Sequence, residues 1–197
     1  MISLLGKLRR RYEELVDPIG RSLGKIGVSP NSITVTRALM GGLAGLLFYL
    51  KEPLLGVVAI ILVGITDMLD GAVARATHRV TKFGGVLDHV LDRYSEFAIL
   101  LGMSLGGYIS SSLAVYTLFG MVMASYTRAK AESLGGLKSC SVGLMERQEK
   151  FVLLIVGGLL VAWFEEALNV AAAVCGTLSH ITVGQRLLYT YRQTRGG

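Results

Sequence analysis

Four aspartates fall within a single stretch, DMLDGAVARATHRVTKFGGVLDHVLD over residues 67–92, bounded by apolar runs on both sides. Asp67 and Asp70 are three residues apart and Asp88 and Asp92 four apart, spacings that put each pair on one face of a helix. A short connection makes those two helices antiparallel neighbours and brings the pairs together. Four carboxylates in one pocket repel one another, and one or two divalent cations are the simplest compensation. An all-oxygen donor set suits hard ions such as Mg2+, Mn2+ or Ca2+. The EF-hand pattern is excluded, because it needs acidic residues at alternate positions before its glycine. Small residues border the carboxylates: Gly71 directly after Asp70, Ala74 one turn on, and Gly84 and Gly85 at the head of the second helix. With Arg75, whose planar fork suits a phosphate, they outline a pocket for a phosphorylated ligand. Ionisable groups at membrane depth are costly, so four at these positions point to function rather than to helix capping. His78, His89 and His180 have no evident role, and His89, next to Asp88, is expected to point off the aspartate face.

The elements that must position these residues are membrane helices. The chain of 197 residues is 52% hydrophobic and only 17% charged, against roughly 25% charged in an ordinary soluble domain. A spanning helix takes about 20 apolar residues. Six stretches reach or approach that length, over 31–50, 54–75, 83–106, 109–131, 149–164 and 166–190. The reading is an all-α integral membrane protein of one domain over 1–197: an interfacial helix and linker over 1–25, then a six-helix bundle over 31–190. Ile2, Leu4, Leu5, Leu8, Tyr12, Leu15 and Val16 recur near helical spacing with basic residues mostly elsewhere. That pattern predicts an amphipathic helix lying in the headgroup plane of anionic lipid.

Basic residues set the orientation. Lys7, Arg9, Arg10, Arg11, Arg21 and Lys25 precede the first span, and Arg75, Arg79 and Lys82 surround the second connection. Arg128, Lys130, Lys138, Arg147 and Lys150 surround the fourth, and Arg192 and Arg195 close the chain. The other side holds only Lys51, offset by Glu52, Glu165 and Glu166. Cytoplasmic loops collect Lys and Arg, so both termini and the aspartate end are expected on the cytoplasmic side of a multi-pass cell-membrane protein. This topology accounts for the net charge of +6 without a nucleic-acid partner. Cys140 and Cys175 match no metal or redox spacing and are read as free thiols. Gly41 with Gly45 and Gly102 with Gly106 form two GxxxG pairs, which permit close helix contact within one chain or between two.

Asp67, Asp70, Gly71, Ala74, Arg75, Gly84, Asp88 and Asp92 fill every fixed position of D-x2-D-G-x2-A-R-x8-G-x3-D-x3-D. In this the sequence resembles the CDP-alcohol phosphotransferases, and the six spans and leading helix extend the resemblance over nearly the whole chain. The resemblance implies an enzyme that cleaves a CDP-linked alcohol, transfers its phosphoryl-alcohol part to a second alcohol and releases CMP. It implies two divalent ions, Mg2+ or Mn2+, held by Asp67, Asp70 and Asp88, with Asp92 as general base and possible further ligand. Gly71, Ala74, Arg75, Thr81 and Gly84 would border or contact the nucleotide, and Asn31, Ser32, Ile33 and Thr34 would help hold the CDP-lipid. It also favours a homodimer.

The acceptor is suggested by other segments. SYTRAKAESLGG, GLMERQEKFVLL and ITVGQRLLYTYR resemble the inositol-phosphate branch of that family, bacterial and archaeal. There three basic residues bind the acceptor phosphate; Arg128, Lys150 and Arg186 match them, with Arg at 128 and Lys at 150 exchanged relative to the bacterial pattern, and Arg147 placed to assist. Arg186 independently needs an anionic partner inside an apolar span. The rival acceptor is glycerol 3-phosphate, and the donor is CDP-archaeol or CDP-diacylglycerol. A carboxylate-lined transporter is the non-enzyme alternative, although transport sites usually lie near the bilayer midplane between repeats.

Overall fold

The computed structural model describes residues 16–77 and 81–195. The amphipathic helix expected over 2–16, and with it His78 and Arg79, falls almost wholly outside those residues; a helical segment over 16–25 leads into the bundle. Six helices follow, α1 Pro30–Tyr49, α2 Pro53–Thr77, α3 Lys82–Leu105, α4 Ser111–Ser133, α5 Arg147–Leu160 and α6 Ala167–Thr194. Each corresponds to one of the six apolar stretches.

Local chemistry sets the boundaries. Ser29 caps α1 by accepting from the Ser32 amide at 3.1 Å, and Pro30 occupies the first turn, where no amide donor is needed. Thr81 caps α3 and Ser110 caps α4 in the same way. The α1–α2 reversal passes through Lys51 at φ 64°, and Pro53 then opens α2. The α3–α4 reversal uses Gly107 at φ 83°, a conformation that favours glycine.

α1 packs against α2 and α3, α4 against α6, and α5 against α2 and α6, with α3 and α4 closing the bundle. Phe48, Ile60, Val63, Ile99, Leu100, Met103, Met121, Leu154 and Leu168 form its core. The α1–α3 contact is backbone on backbone. A Cβ on Gly102 would overlap the Gly45 carbonyl, and a Cβ on Gly45 would overlap the Ala98 carbonyl. Both GxxxG pairs therefore serve packing inside the chain: Gly41 faces Ser95, and Gly106 faces the Phe48 carbonyl.

The outer faces are apolar: Leu39, Leu43, Leu46, Leu54, Val58, Ile61, Phe119, Val152 and Leu188 are all exposed. An apolar surface of that extent matches a lipid environment. By length and composition three helices can cross a membrane, over Pro30–Tyr49, Pro53–Ala76 and Ala167–Thr194. α3 carries Asp88, Asp92, Arg93 and Glu96 within its length, and α5 has only 14 residues, about 21 Å at 1.5 Å each. Cys140 and Cys175 are free and buried.

Candidate active site

α2 and α3 run antiparallel on either side of α1 and bring the four aspartates together at one end of the bundle. Asp67, Asp70 and Asp88 each offer an oxygen within 4.8 Å of the others. Asp92 lies deepest, its side chain 4% exposed, followed by Asp70 at 14%, Asp67 at 27% and Asp88 at 30%. The cluster thus has a closed inner side and an open outer side. His89 is exposed, but a ring nitrogen comes within 4.8 Å of oxygens on Asp88 and Asp92. The expectation that it points away from the aspartates is corrected: a side chain one residue along the helix from Asp88 reaches back around its rim.

The inner side is filled by a residue the sequence reading passed over. Arg37, on α1, is completely buried and binds all four carboxylates. Its Nη1 donates to Asp67 Oδ1 at 2.5 Å and to Asp70 Oδ2 at 2.6 Å. Its Nη2 donates to Asp88 Oδ1 and, at 2.6 Å, to Asp92 Oδ1. The signal was available: a cation inside the first apolar stretch, one turn beyond Thr34, needs an anionic partner as much as Arg186 does. A second guanidinium comes from the head of α5. Arg147 Nη1 pairs with Asp67, and Nη2 lies 2.5 Å from Asp92 Oδ1. Arg147 also stacks over Phe151, with its guanidinium carbon 5.7 Å from the ring centre.

The expected lipid-side residues line the approach. Thr34 donates to Asp70 Oδ2 at 3.4 Å. Asn31 faces the start of α3, where a Cβ on Gly84 would stand 3.0 Å from both Asn31 Oδ1 and Thr81 Oγ1. Only glycine leaves that seam open. Ser32 is tied to the Ser29 cap, with the two hydroxyls 2.7 Å apart, and Ile33 is buried. Gly71 looks into open space, where a Cβ would meet only Arg75 Nη1 at 3.3 Å, and Ala74 is half-buried beside it. Arg75 forms an exposed pair with Asp17 at 2.9 Å.

The four expected acceptor residues divide. Arg147 alone touches the aspartates. Lys150, 3% exposed, turns inward to Glu96 Oε1 at 3.3 Å, and Arg93 reaches Glu96 Oε2 at 2.7 Å and Ser125 Oγ at 2.8 Å. Arg128 pairs with Glu132 at 2.9 Å, whose carboxylate also accepts from the Cys140 amide at 2.9 Å. Arg186 donates to the carbonyls of Val142 at 2.9 Å and Ala124 at 2.6 Å. Thr182 and Gln185 hold the amides of Met145 and Leu144. Arg128 and Arg186 thus secure the 134–146 connection that delivers Arg147, with Arg186 held on two neutral backbone carbonyls.

The donor set fits divalent ions: hard oxygen ligands, converging, with negative charge in excess of the two guanidiniums among them. Residues 27–181 match the sequence profile of CDP-alcohol phosphatidyltransferases. The archaetidylinositol phosphate synthase of Pyrococcus horikoshii is 35% identical over 184 residues, covering 93% of this chain and 95% of its own. The crystal structure of Mycobacterium tuberculosis phosphatidylinositol phosphate synthase with CDP-DAG bound superposes with a TM-score of 0.80 at 28% identity, over 90% of this chain and 94% of that one. The same enzyme in complex with manganese and citrate also gives 0.80 at 28% identity, over 89% and 88% of the two chains. The carboxylate motif, the helical bundle and the full-length similarity agree, and the chain belongs to the CDP-alcohol phosphatidyltransferase family.

Proposed function

We propose that the protein transfers the lipid-phosphoryl group of a CDP-lipid to an inositol phosphate, releasing CMP and forming the corresponding phosphatidyl- or archaetidylinositol phosphate. The observation that carries the transfer reaction is the convergence of Asp67, Asp70 and Asp88 within 4.8 Å, with Asp92 beside them. The names of the relatives support the inositol phosphate acceptor over glycerol 3-phosphate, and the cation Arg147 beside the cluster suits a phosphorylated acceptor of either kind.

Asp67, Asp70 and Asp88 would hold two divalent ions, Mg2+ or Mn2+, with Asp92 at the edge of the set. Bound there, such ions would supply positive charge to the donor's diphosphate oxygens and to the charge that builds on departing CMP. Asp92 takes the proton of the acceptor hydroxyl as its oxygen bonds to the phosphorus carrying the lipid alcohol and the bond from that phosphorus to CMP breaks. Arg147 steadies the acceptor phosphate. Asn31, Ser32, Ile33 and Thr34 border the lipid side of the donor, and Gly71, Ala74, Arg75, Thr81 and Gly84 its nucleotide side. Arg128, Lys150 and Arg186 complete the acceptor-phosphate set, and Arg128 and Arg186 also tie down the 134–146 connection that leads to Arg147.

The remaining features of this reading are a single membrane domain of six spans preceded by an interfacial helix, both termini and the site facing the cytoplasm, and a homodimer. The basic connections at the aspartate end and the acidic residues at the other support the orientation. The test is CMP release by purified protein in detergent with Mg2+, pairing CDP-archaeol and CDP-diacylglycerol with inositol 1-phosphate, glycerol 3-phosphate, free inositol and serine. Release with inositol 1-phosphate is expected. Release only with glycerol 3-phosphate overturns the acceptor, and release with no pair overturns the transferase reading.

A further inference from the structure

Arg37 does more than balance charge. Four carboxylates present eight oxygens, and Arg37 takes one from each: Oδ1 of Asp67, Asp88 and Asp92, and Oδ2 of Asp70. Arg147 uses the same oxygens of Asp67 and Asp92 rather than new ones. Among the described residues the second oxygens of Asp67, Asp70 and Asp88 bind neither guanidinium. Each of those three aspartates also brings an oxygen, whether bound to Arg37 or free of it, within 4.8 Å of one on the other two.

Arg37 is 0% exposed while its partners open progressively to 30%, so it lies beneath them, opposite the mouth. Close packing also surrounds its helix. It projects from α1 one turn before Gly41, where α1 meets α3 with no room for either helix to slide. Its neighbour Thr34 binds the same Asp70 oxygen, Oδ2, that Arg37 does.

We propose that Arg37 is the positioning residue of the metal centre, a fixed internal cation that takes one oxygen of each aspartate and turns the other toward the ions the pocket binds. The role rests on the metal reading of the aspartates given above. It makes a prediction opposite in sign to simple charge repulsion. A guanidinium that merely filled the site of an absent ion would compete with metal, and removing it would tighten metal binding. A guanidinium that orients the ligands strengthens binding, and removing it weakens binding.

The experiment measures Mn2+ affinity of the full chain in detergent by electron paramagnetic resonance, for the unaltered protein, Arg37→Lys and Arg37→Gln, alongside melting curves in chelator. Loss of an outer partner of metal ligands typically costs about 10- to 100-fold in affinity, and Arg37→Gln is expected in that range. Arg37→Lys keeps the charge but not the fork, so it is expected to melt close to the parent and still bind Mn2+ more weakly. If Arg37→Gln does not fold, Arg37→Lys decides. Unchanged or tighter Mn2+ binding by the lysine variant overturns the role of Arg37 and leaves the metal site standing. No Mn2+ binding by the unaltered protein overturns the metal reading and this inference with it.

Discussion

α3 carries two buried ion clusters one turn apart, and they are built on opposite plans. At Asp88 and Asp92, four carboxylates meet two guanidiniums, Arg37 and Arg147, leaving negative charge in excess and an open face. At Glu96, one carboxylate with its side chain 1% exposed is held between Arg93 at 2.7 Å and Lys150 at 3.3 Å, with no excess of negative charge and no opening. Arg93 stands between them, 3.8 Å from Asp92 Oδ2. The first cluster still lacks positive charge and can recruit it from solution. The second has its charge balanced within the chain and ties α3 to α5. Charge balance and access, rather than burial of charge as such, distinguish the working site from the structural one.

The largest effect expected from this contrast is at Asp92. Asp92→Asn keeps the shape and removes the proton acceptor, and general-base loss typically costs about 10²- to 10⁴-fold in turnover. CMP release should fall into that range while melting temperature and Mn2+ binding change little. Equal loss of fold and activity would mean that Asp92 belongs with the structural cluster instead. The opposite result is expected one turn deeper. Glu96→Gln strands Lys150 and Arg93 without their carboxylate, and breaking a buried pair from one side costs about 3–5 kcal/mol. Thermal melting should drop sharply, with Mn2+ affinity of the surviving fold nearly unchanged. Replacing Glu96 with Leu and Lys150 with Met together should recover the part of that loss due to Lys150, because apolar replacement of a buried pair is often neutral, while Arg93 keeps only Ser125.

A smaller effect tests the packing that aims both clusters. Gly102→Ala places a methyl group against the Gly45 backbone, so α1 must move away from α3. Overpacking of this kind costs about 1–3 kcal/mol. Since Arg37 rides on α1 and two of its partners on α3, Mn2+ affinity should fall along with stability. Gly42→Ala, with open space around the added methyl group, is the control: Mn2+ affinity should stay unaltered and stability should rise by about 0.5–1 kcal/mol.

The aspartates, the glycines between them and the six helices were legible in the sequence because each rests on local spacing: i,i+3 and i,i+4 pairs, caps and apolar runs. Helix ends differ from the expected ones by a few residues, most at α5, which stops at Leu160 where the apolar run continues to Phe164. What escaped is what depends on which helix faces which. Arg37 lies 30 residues before Asp67, and only the α1–α3 contact makes it a partner of Asp88 and Asp92. Glu96 and Lys150 are 54 residues apart and meet across the bundle. The basic residues of α4, α5 and α6 share one sign and one end of the molecule, so composition grouped them. Side-chain direction then divided them: Arg147 turns to the aspartates, Lys150 to Glu96, and Arg186 to the carbonyls of Val142 and Ala124.

The least costly variants sharpen the contrast at its outer edge, where charge is exposed and pairing is weak. Arg75 and Asp17 lie 2.9 Å apart with side chains 47% and 42% exposed. An exposed pair contributes at most about 1 kcal/mol, so neither Arg75→Ala nor Asp17→Ala should alter melting appreciably. Their kinetics should diverge. If Arg75 contacts the donor's phosphate or nucleotide, its removal deletes a charge-assisted hydrogen bond of about 1.5–3 kcal/mol, roughly ten- to a hundredfold in KM for the CDP-lipid. Asp17 only competes for the same guanidinium. Its removal frees Arg75 and should leave KM for the CDP-lipid unchanged or lower. A rise in KM of the same size for both variants would mean that the pair acts as a tie between the 16–25 segment and α2. The donor-binding edge of the site would then be structural, like the cluster at Glu96, and the boundary between working and structural charge would lie closer to Gly71 than to Arg75.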